Sequence, residues 1–241
     1  MRARSATSSF PPIDVAEHQG KPDEVEADGG LPELAGEELA AAEKLFGDRL
    51  GLVRRYVEHL ATSGLERGLI GPREVPRLWS RHVLNCAVIE SEFVPGSTVA
   101  DVGSGAGLPG LCLALARPDL SLVLIEPLER RVIWLEEVVE DLGLTNVRVL
   151  RTRAEQAVDF VNADYVTARA VSALSKLIPI TLPLLGGSGI LVAIKGRSAA
   201  EEVEKAAKAI KKYGGHSAEV RVVGEGLLEE PTTVVRIAVG R

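Results

Sequence analysis

From Glu37 to Leu60, apolar residues recur at three- and four-residue steps: Leu39, Ala42, Leu45, Phe46, Leu50, Val53, Val57 and Leu60. That period lays a single stripe along a helix, with Gly64 placed to cap its C-terminus. A second helix is expected after Pro72, with Leu78, Val83, Cys86 and Ile89 on one face. Near Val99 the pattern changes, and short apolar runs begin to alternate with helical stretches. STVADVG, LSLVLIEP, NVRVLRT, DYVTARA and GILVAIKG read as five strands. PGLCLALARP, RRVIWLEEVVEDLG and the segment around Leu174, Leu177 and Ile178 read as helices between them. SAAEEVEKAAKAIKKYGG follows as a strongly helical stretch whose KAAKAIKK lysines face solvent. Finally AEVRVVGE and TTVVRIAVG alternate with period two and read as an antiparallel pair.

Strands alternating with helices imply a mostly parallel sheet covered on both faces. The expected fold is therefore α/β: a seven-stranded, Rossmann-like sheet with one reversed strand and an N-terminal helical cap. Residues 1–32 are rich in Ser, Pro, Gly and acid, so a disordered tail is expected there. The cap is expected over residues 33–94 and the Rossmann-like domain over 95–241.

Composition narrows the class. Apolar residues make up 46% of the 241, enough for one large core, and Cys86 and Cys112 are the two cysteines. Neither a disulfide scaffold nor a metal site is expected from two such cysteines, and both are read as buried, inert thiols. There is no apolar leader or membrane-length run, which points to a cytoplasmic protein without membrane contact, expected as a monomer. The net charge of −6 argues at first against a nucleic-acid partner. Its distribution changes that reading. Residues 1–50 hold 5 basic against 11 acidic side chains, whereas residues 51–241 hold 23 of each. The body is neutral and has room for a basic face.

The chemistry concentrates in VADVGSGAGLPGLCLALA, residues 99–116. Gly103, Gly105 and Gly107 follow Asp101 as D-x-G-x-G-x-G, with Ser104 in the same turn. Gly105, Gly107 and Gly110 also fit the dinucleotide pattern G-x-G-x-x-G. Either way the glycines let a strand turn sharply and bring a ligand close to a helix N-terminus. Asp101 separates the two ligands. A carboxylate there repels a pyrophosphate but suits an ammonium group, which S-adenosylmethionine carries without any phosphate. Glu126, at the end of the second strand, is placed for ribose hydroxyls and serves either ligand. Ala154 and Glu155, after the third strand, are placed to flank an adenine edge. Together with the reversed last strand, these features favour S-adenosylmethionine over NAD. The expected class is thus a class I S-adenosylmethionine methyltransferase.

The target is narrower by exclusion. After the fourth strand the chain reads Thr167-Ala168-Arg169-Ala170-Val171, not the D/N-P-P-Y/F of exocyclic-amine methylation. Pyrimidine C5 chemistry needs a cysteine nucleophile. Guanine N7 has a free lone pair, so its methylation needs alignment rather than a base. Arg77, Arg81, Arg130, Arg131, Lys195 and Arg197 are candidate RNA contacts at loop and helix ends. Arg169, Lys195 and His82 are the candidates for a catalytic role.

LWSRHVLNCAVI, VADVGSGAGLPGLCLALARP, LIEPLERRVIWLEEV, TRAEQ, ARAVSAL and AIKG together closely resemble the glucose-inhibited division protein B family. Those proteins are S-adenosylmethionine-dependent guanine-N7 methyltransferases of 16S ribosomal RNA, and the resemblance runs from about Glu37 to the C-terminus. It implies cofactor contacts at Gly103, Leu108, Ala154, Glu155 and Arg169, and matches Glu126 to the family's acid. It implies as substrate a guanosine in a decoding-region hairpin of 16S RNA, free or in the small subunit, and a link to streptomycin sensitivity. Where the family's commoner forms read R-H-x-L-D-S and S-R-A, this chain has Asn85-Cys86 and Ala168-Arg169-Ala170. Two other classes stay open: an NAD-dependent oxidoreductase, and a non-catalytic RNA- or ribosome-binding module.

Overall fold

A computed structural model describes residues 31–240; the expected tail lies outside the described residues apart from its last two positions. Seven strands form one sheet: β1 Thr98–Val102, β2 Ser121–Ile125, β3 Val147–Leu150, β4 Tyr165–Arg169, β5 Gly189–Lys195, β6 Gly215–Val223 and β7 Thr232–Val239. Their order is β3-β2-β1-β4-β5-β7-β6. β1 to β5 pair in parallel, and β7 runs antiparallel to both β5 and β6. One strand is reversed, as the final period-two pair predicts.

Strand side chains alternate between faces, and the burial follows. Val99, Leu122 and Leu124 join a core with the N-terminal helices, whereas Ala100, Val102, Val123 and Ile125 join a second core on the other side. Helices α1 Gly36–Phe46, α2 Leu50–His59, α3 Asn85–Ala87 and α4 Gly110–Ala116 cover the first face together with α5 Glu129–Asp141. Helices α6 Ala154–Ala157, α7 Leu174–Thr181 and α8 Ala199–Lys212 supply the second. On α8, Ala206 and Ile210 are buried while the lysines are exposed, the amphipathic division its sequence predicts.

Two cap elements depart from expectation. The single helix over Glu37–Leu60 is interrupted at Gly47, whose φ of +50° breaks the α geometry before α2 resumes. Gly64 sits within a π-helical turn, Leu60–Gly64, where an added Cβ would lie 3.4 Å from Trp134. After Pro72 the chain stays helical but changes pitch, through a 3-10 segment to Arg77, a π segment Leu78–Leu84, α3 and a last 3-10 turn. Pro76 lies in the 3-10 segment, where its missing N–H prevents a regular α ladder. The apolar spacing accommodates this: the step from Leu78 to Val83 is five residues, a π turn, and all four expected face residues are buried.

The candidate active site

The order 3-2-1-4-5 puts a topological switch point between β1 and β4, and open α/β sheets bind ligands at the carboxyl ends of such strands. The glycine turn leaves β1 there. Gly103 has φ +72°, and a Cβ on it would lie 2.9 Å from Val171 of the β4–α7 turn. Gly110 opens α4 so tightly that a Cβ would lie 2.6 Å from Asp101 Oδ2. Tyr56 of α2 is fully buried, and its hydroxyl donates to the Ala106 carbonyl at 2.7 Å, tethering the turn to the cap. Ser104 is buried and donates to the Asp101 carbonyl at 3.0 Å, and the Leu108 N–H donates to Ser104.

Asp101 points to the cap face and is 0% exposed. Its Oδ2 accepts from the Gly110 N–H at 3.1 Å, and its Oδ1 has no partner among the described residues. Burial pushes its carboxyl up to about 7, against the Gly110 hydrogen bond and the nearby Ser104 hydroxyl, which favour the anion. Glu126, 1% exposed, caps the next strand. It accepts from the N–H groups of Gly105 and Leu128 at 3.0 Å each, and Arg131 stands 3.6 Å away. Arg131 Nε is likewise unpartnered among the described residues. Ala154 is buried at the first position of α6, beside exposed Glu155.

Arg169 ends β4 on the same face as Asp101, since Asp101 registers with Thr167, two residues before it. Its guanidinium donates to His82 Nδ1 at 2.7 Å, to Cys86 Sγ at 3.2 Å and to the Arg81 carbonyl at 3.4 Å. His82 in turn donates from Nε2 to Glu74 Oε2 at 2.7 Å. Burial and the Arg169 charge hold the imidazole below its ordinary pKa, with Glu74 opposing. Both cysteines are buried as expected, and Cys86 Sγ accepts from Arg169. Burial alone would raise its thiol, yet Cys112 and Arg169 pull it below the ordinary value.

Beside Arg169 lies a groove of about 510 Å³ lined by Arg77, Arg81, Asn85, Lys195, Arg197 and Thr232, among others. Arg77, Arg81 and Arg197 are exposed. Asn85 Oδ1 is buried and unpartnered among the described residues. Lys195 differs: its side chain is 9% exposed and its ammonium donates to the Ser172 carbonyl at 2.7 Å and to Glu202 at 2.8 Å. It braces the β4–α7 turn from inside. Arg130 is exposed at the start of α5 and does not line the groove. The sequence thus supplies the glycine turn and most cations. It does not reveal Tyr56 or Val171, whose partners are distant in the chain, nor Glu74, which meets His82 across a change of helical pitch.

These features define a class I S-adenosylmethionine-dependent methyltransferase, and comparison with solved structures agrees on the fold. An S-adenosylmethionine-dependent methyltransferase from Aquifex aeolicus superposes with TM-score 0.50 at 21% identity, covering 73% of this chain and 97% of that one. M. jannaschii TYW2, solved in complex with AdoMet, gives TM-score 0.52 at 19% identity, covering 68% and 78%. The model of the family described as "rRNA small subunit methyltransferase G" matches residues 49–230, and the chain belongs to that family. The ribosomal RNA small subunit methyltransferase G of Arthrobacter sp. (strain FB24) is 77% identical over 211 residues, 88% of this chain and 98% of the relative. That of Clavibacter michiganensis subsp. michiganensis is 54% identical, covering 84% and 95%.

Proposed function

We propose that this protein transfers the methyl group of S-adenosylmethionine to N7 of a guanine in the decoding-region hairpin of 16S ribosomal RNA. One observation carries the reading beyond family membership. Three buried side-chain atoms lack partners among the described residues, Asp101 Oδ1, Arg131 Nε and Asn85 Oδ1. The first two flank the glycine turn and the third lies at the basic groove. Buried polar groups left unpaired are costly, so their gathering at one sheet edge suits a site completed by ligands on both sides of Arg169.

Asp101, Gly103, Ser104, Gly105, Gly107, Leu108, Glu126, Ala154 and Glu155 form the cofactor half. Asp101 offers its open oxygen to the amino-acid ammonium. Glu126, which still has lone pairs beyond its two backbone donors, serves the ribose. When bound, the cofactor supplies a methyl group on a sulfonium, a leaving group that needs no protonation. The protein's part is alignment and exclusion of water. The groove half is rich in guanidinium groups that remain protonated at neutral pH. This suits a nucleophile that already has its lone pair. Arg77, Arg81 and Arg197 hold phosphates, Arg169 stands between the halves, and Lys195 keeps the intervening turn in place.

Residues 33–94 act as the cap and 95–241 as the catalytic domain of a cytoplasmic monomer whose partner is the small ribosomal subunit or its RNA. No described helix is long and apolar enough to cross a membrane. The test is borohydride–aniline cleavage of 16S RNA from cells with and without the gene. A single cleavage present only with the gene is expected; identical patterns would exclude the N7 assignment.

A further inference from the structure

We propose that His82, as its Nε2–H tautomer on Glu74, is a positioning residue that fixes the Arg169 guanidinium while leaving its charge available to an anionic ligand group. The inference rests on the methyltransferase reading above. Among the described residues no carboxylate pairs with Arg169; its three acceptors, His82 Nδ1, Cys86 Sγ and the Arg81 carbonyl, are a ring nitrogen, a thiol and a peptide oxygen. A carboxylate at the place of His82 would orient the guanidinium equally well but would neutralise it. Here the carboxylate of Glu74 stands one imidazole ring further back, 2.7 Å from Nε2. It sets the tautomer and ring orientation, so that Nδ1 presents a lone pair to Arg169. The available charge then serves an anionic oxygen group, either the cofactor's carboxylate or an RNA phosphate.

The arrangement makes the site sensitive to acid. A proton on Nδ1 would replace an accepted hydrogen bond with a cation facing a cation at 2.7 Å. The groups facing the imidazole are Glu74 and Arg81 on its own helical stretch, Arg169 from β4, and the Cys86 thiol that shares Arg169. Across the adjoining groove, Arg77 and Arg81 stand beside Glu37 and Glu38 of α1.

Methyl transfer to small ribosomal subunits, measured as kcat/KM for subunits between pH 5 and 8.5 on the full chain with the donor saturating, so that its bound ammonium keeps Asp101 ionised, tests the idea with E74Q, H82N and H82F. Wild type is expected to lose activity with a one-proton slope on the acid side. E74Q keeps an acceptor for Nε2–H but removes the charge favouring the imidazolium, so its acid limb moves to lower pH. H82N retains an acceptor for Arg169 without a titrating group, so this limb disappears. H82F loses about tenfold or more at pH 7.5, the loss expected when a charged hydrogen bond is removed, and H82N restores most of it. Calorimetry on H82F identifies the anion: weakened donor binding marks the carboxylate, and weakened RNA binding marks the phosphate. Acid limbs that coincide in wild type, E74Q and H82N, or a folded H82F with full activity, overturn the proposal. If H82F does not fold, the E74Q limb decides. A wild-type protein that transfers no methyl group to subunits removes the functional reading and this inference with it, whereas transfer with an unmoved limb removes only the latter.

Discussion

Asp101 concentrates two demands in one carboxyl group. Its full burial raises the pKa to about 7, so the folded chain binds a proton that the unfolded chain releases near its ordinary value of 3.8. Folded stability from this group is therefore greatest at acid pH and declines as pH rises from about 4 to 7. Asp101→Asn is expected to melt higher than wild type at pH 8, with the gap shrinking towards pH 5, while binding S-adenosylmethionine at least tenfold more weakly. Thermal melts across that range, beside calorimetry, check both halves. Gly103 is the second residue-scale test. Its φ of +72° and the 2.9 Å approach to Val171 leave no room for a methyl group. Gly103→Ala should cost about 1–2 kcal/mol of stability, read by urea unfolding, and reduce cofactor affinity by a larger factor than that loss implies.

At the scale of elements, the glycine turn is held from two sides, by α2 and by the β4–α7 turn. Tyr56 fastens it through the Ala106 carbonyl, and this buried bond leaves an unsatisfied acceptor if the hydroxyl is removed. Tyr56→Phe is expected to destabilise the fold by about 1–3 kcal/mol and to weaken donor binding without altering RNA affinity. Equal cofactor affinity in the two proteins would show that the tether does not shape the site. On the other side, Ala170 holds φ +55°, a left-handed conformation that turns the chain from Arg169 so that Val171 covers Gly103. Ala170→Gly should raise the melting temperature modestly, because the relieved strain of about 1 kcal/mol exceeds glycine's added chain entropy only slightly. If the melting temperature falls instead, the turn is not strained.

For the whole molecule, a net charge of −6 coexists with a groove carrying Arg77, Arg81, Arg169, Lys195 and Arg197. Recognition of a polyanion depends on where the charges lie, not on their sum. Arg197→Ala is expected to weaken RNA binding uniformly across sequences and to lower the salt slope of log affinity by about 0.7–0.9, one phosphate contact, with donor binding unchanged. An unchanged slope would remove Arg197 from the interface. Lys195 lies at the strand end that its sequence position suggests, but its ammonium is turned to other work. Its neighbours in AIKG place it at a strand end facing ligand, but Ser172 and Glu202 occupy its ammonium.

The sheet, its reversed strand, the helices between and the glycine turn were legible in the chain because each rests on local periodicity and turn chemistry within about 20 residues. The tertiary structure alone decided how the cap meets the site. His82 and Arg169 are 87 positions apart, as the chain runs, and Tyr56 and Ala106 are 50 apart. Such pairings depend on how α2 and the π segment pack over one face of the sheet, which no local pattern encodes. The change of helical pitch after Pro72 shows the same limit. An apolar stripe states which side is buried, whereas the winding that presents it is settled by the surface it must fit.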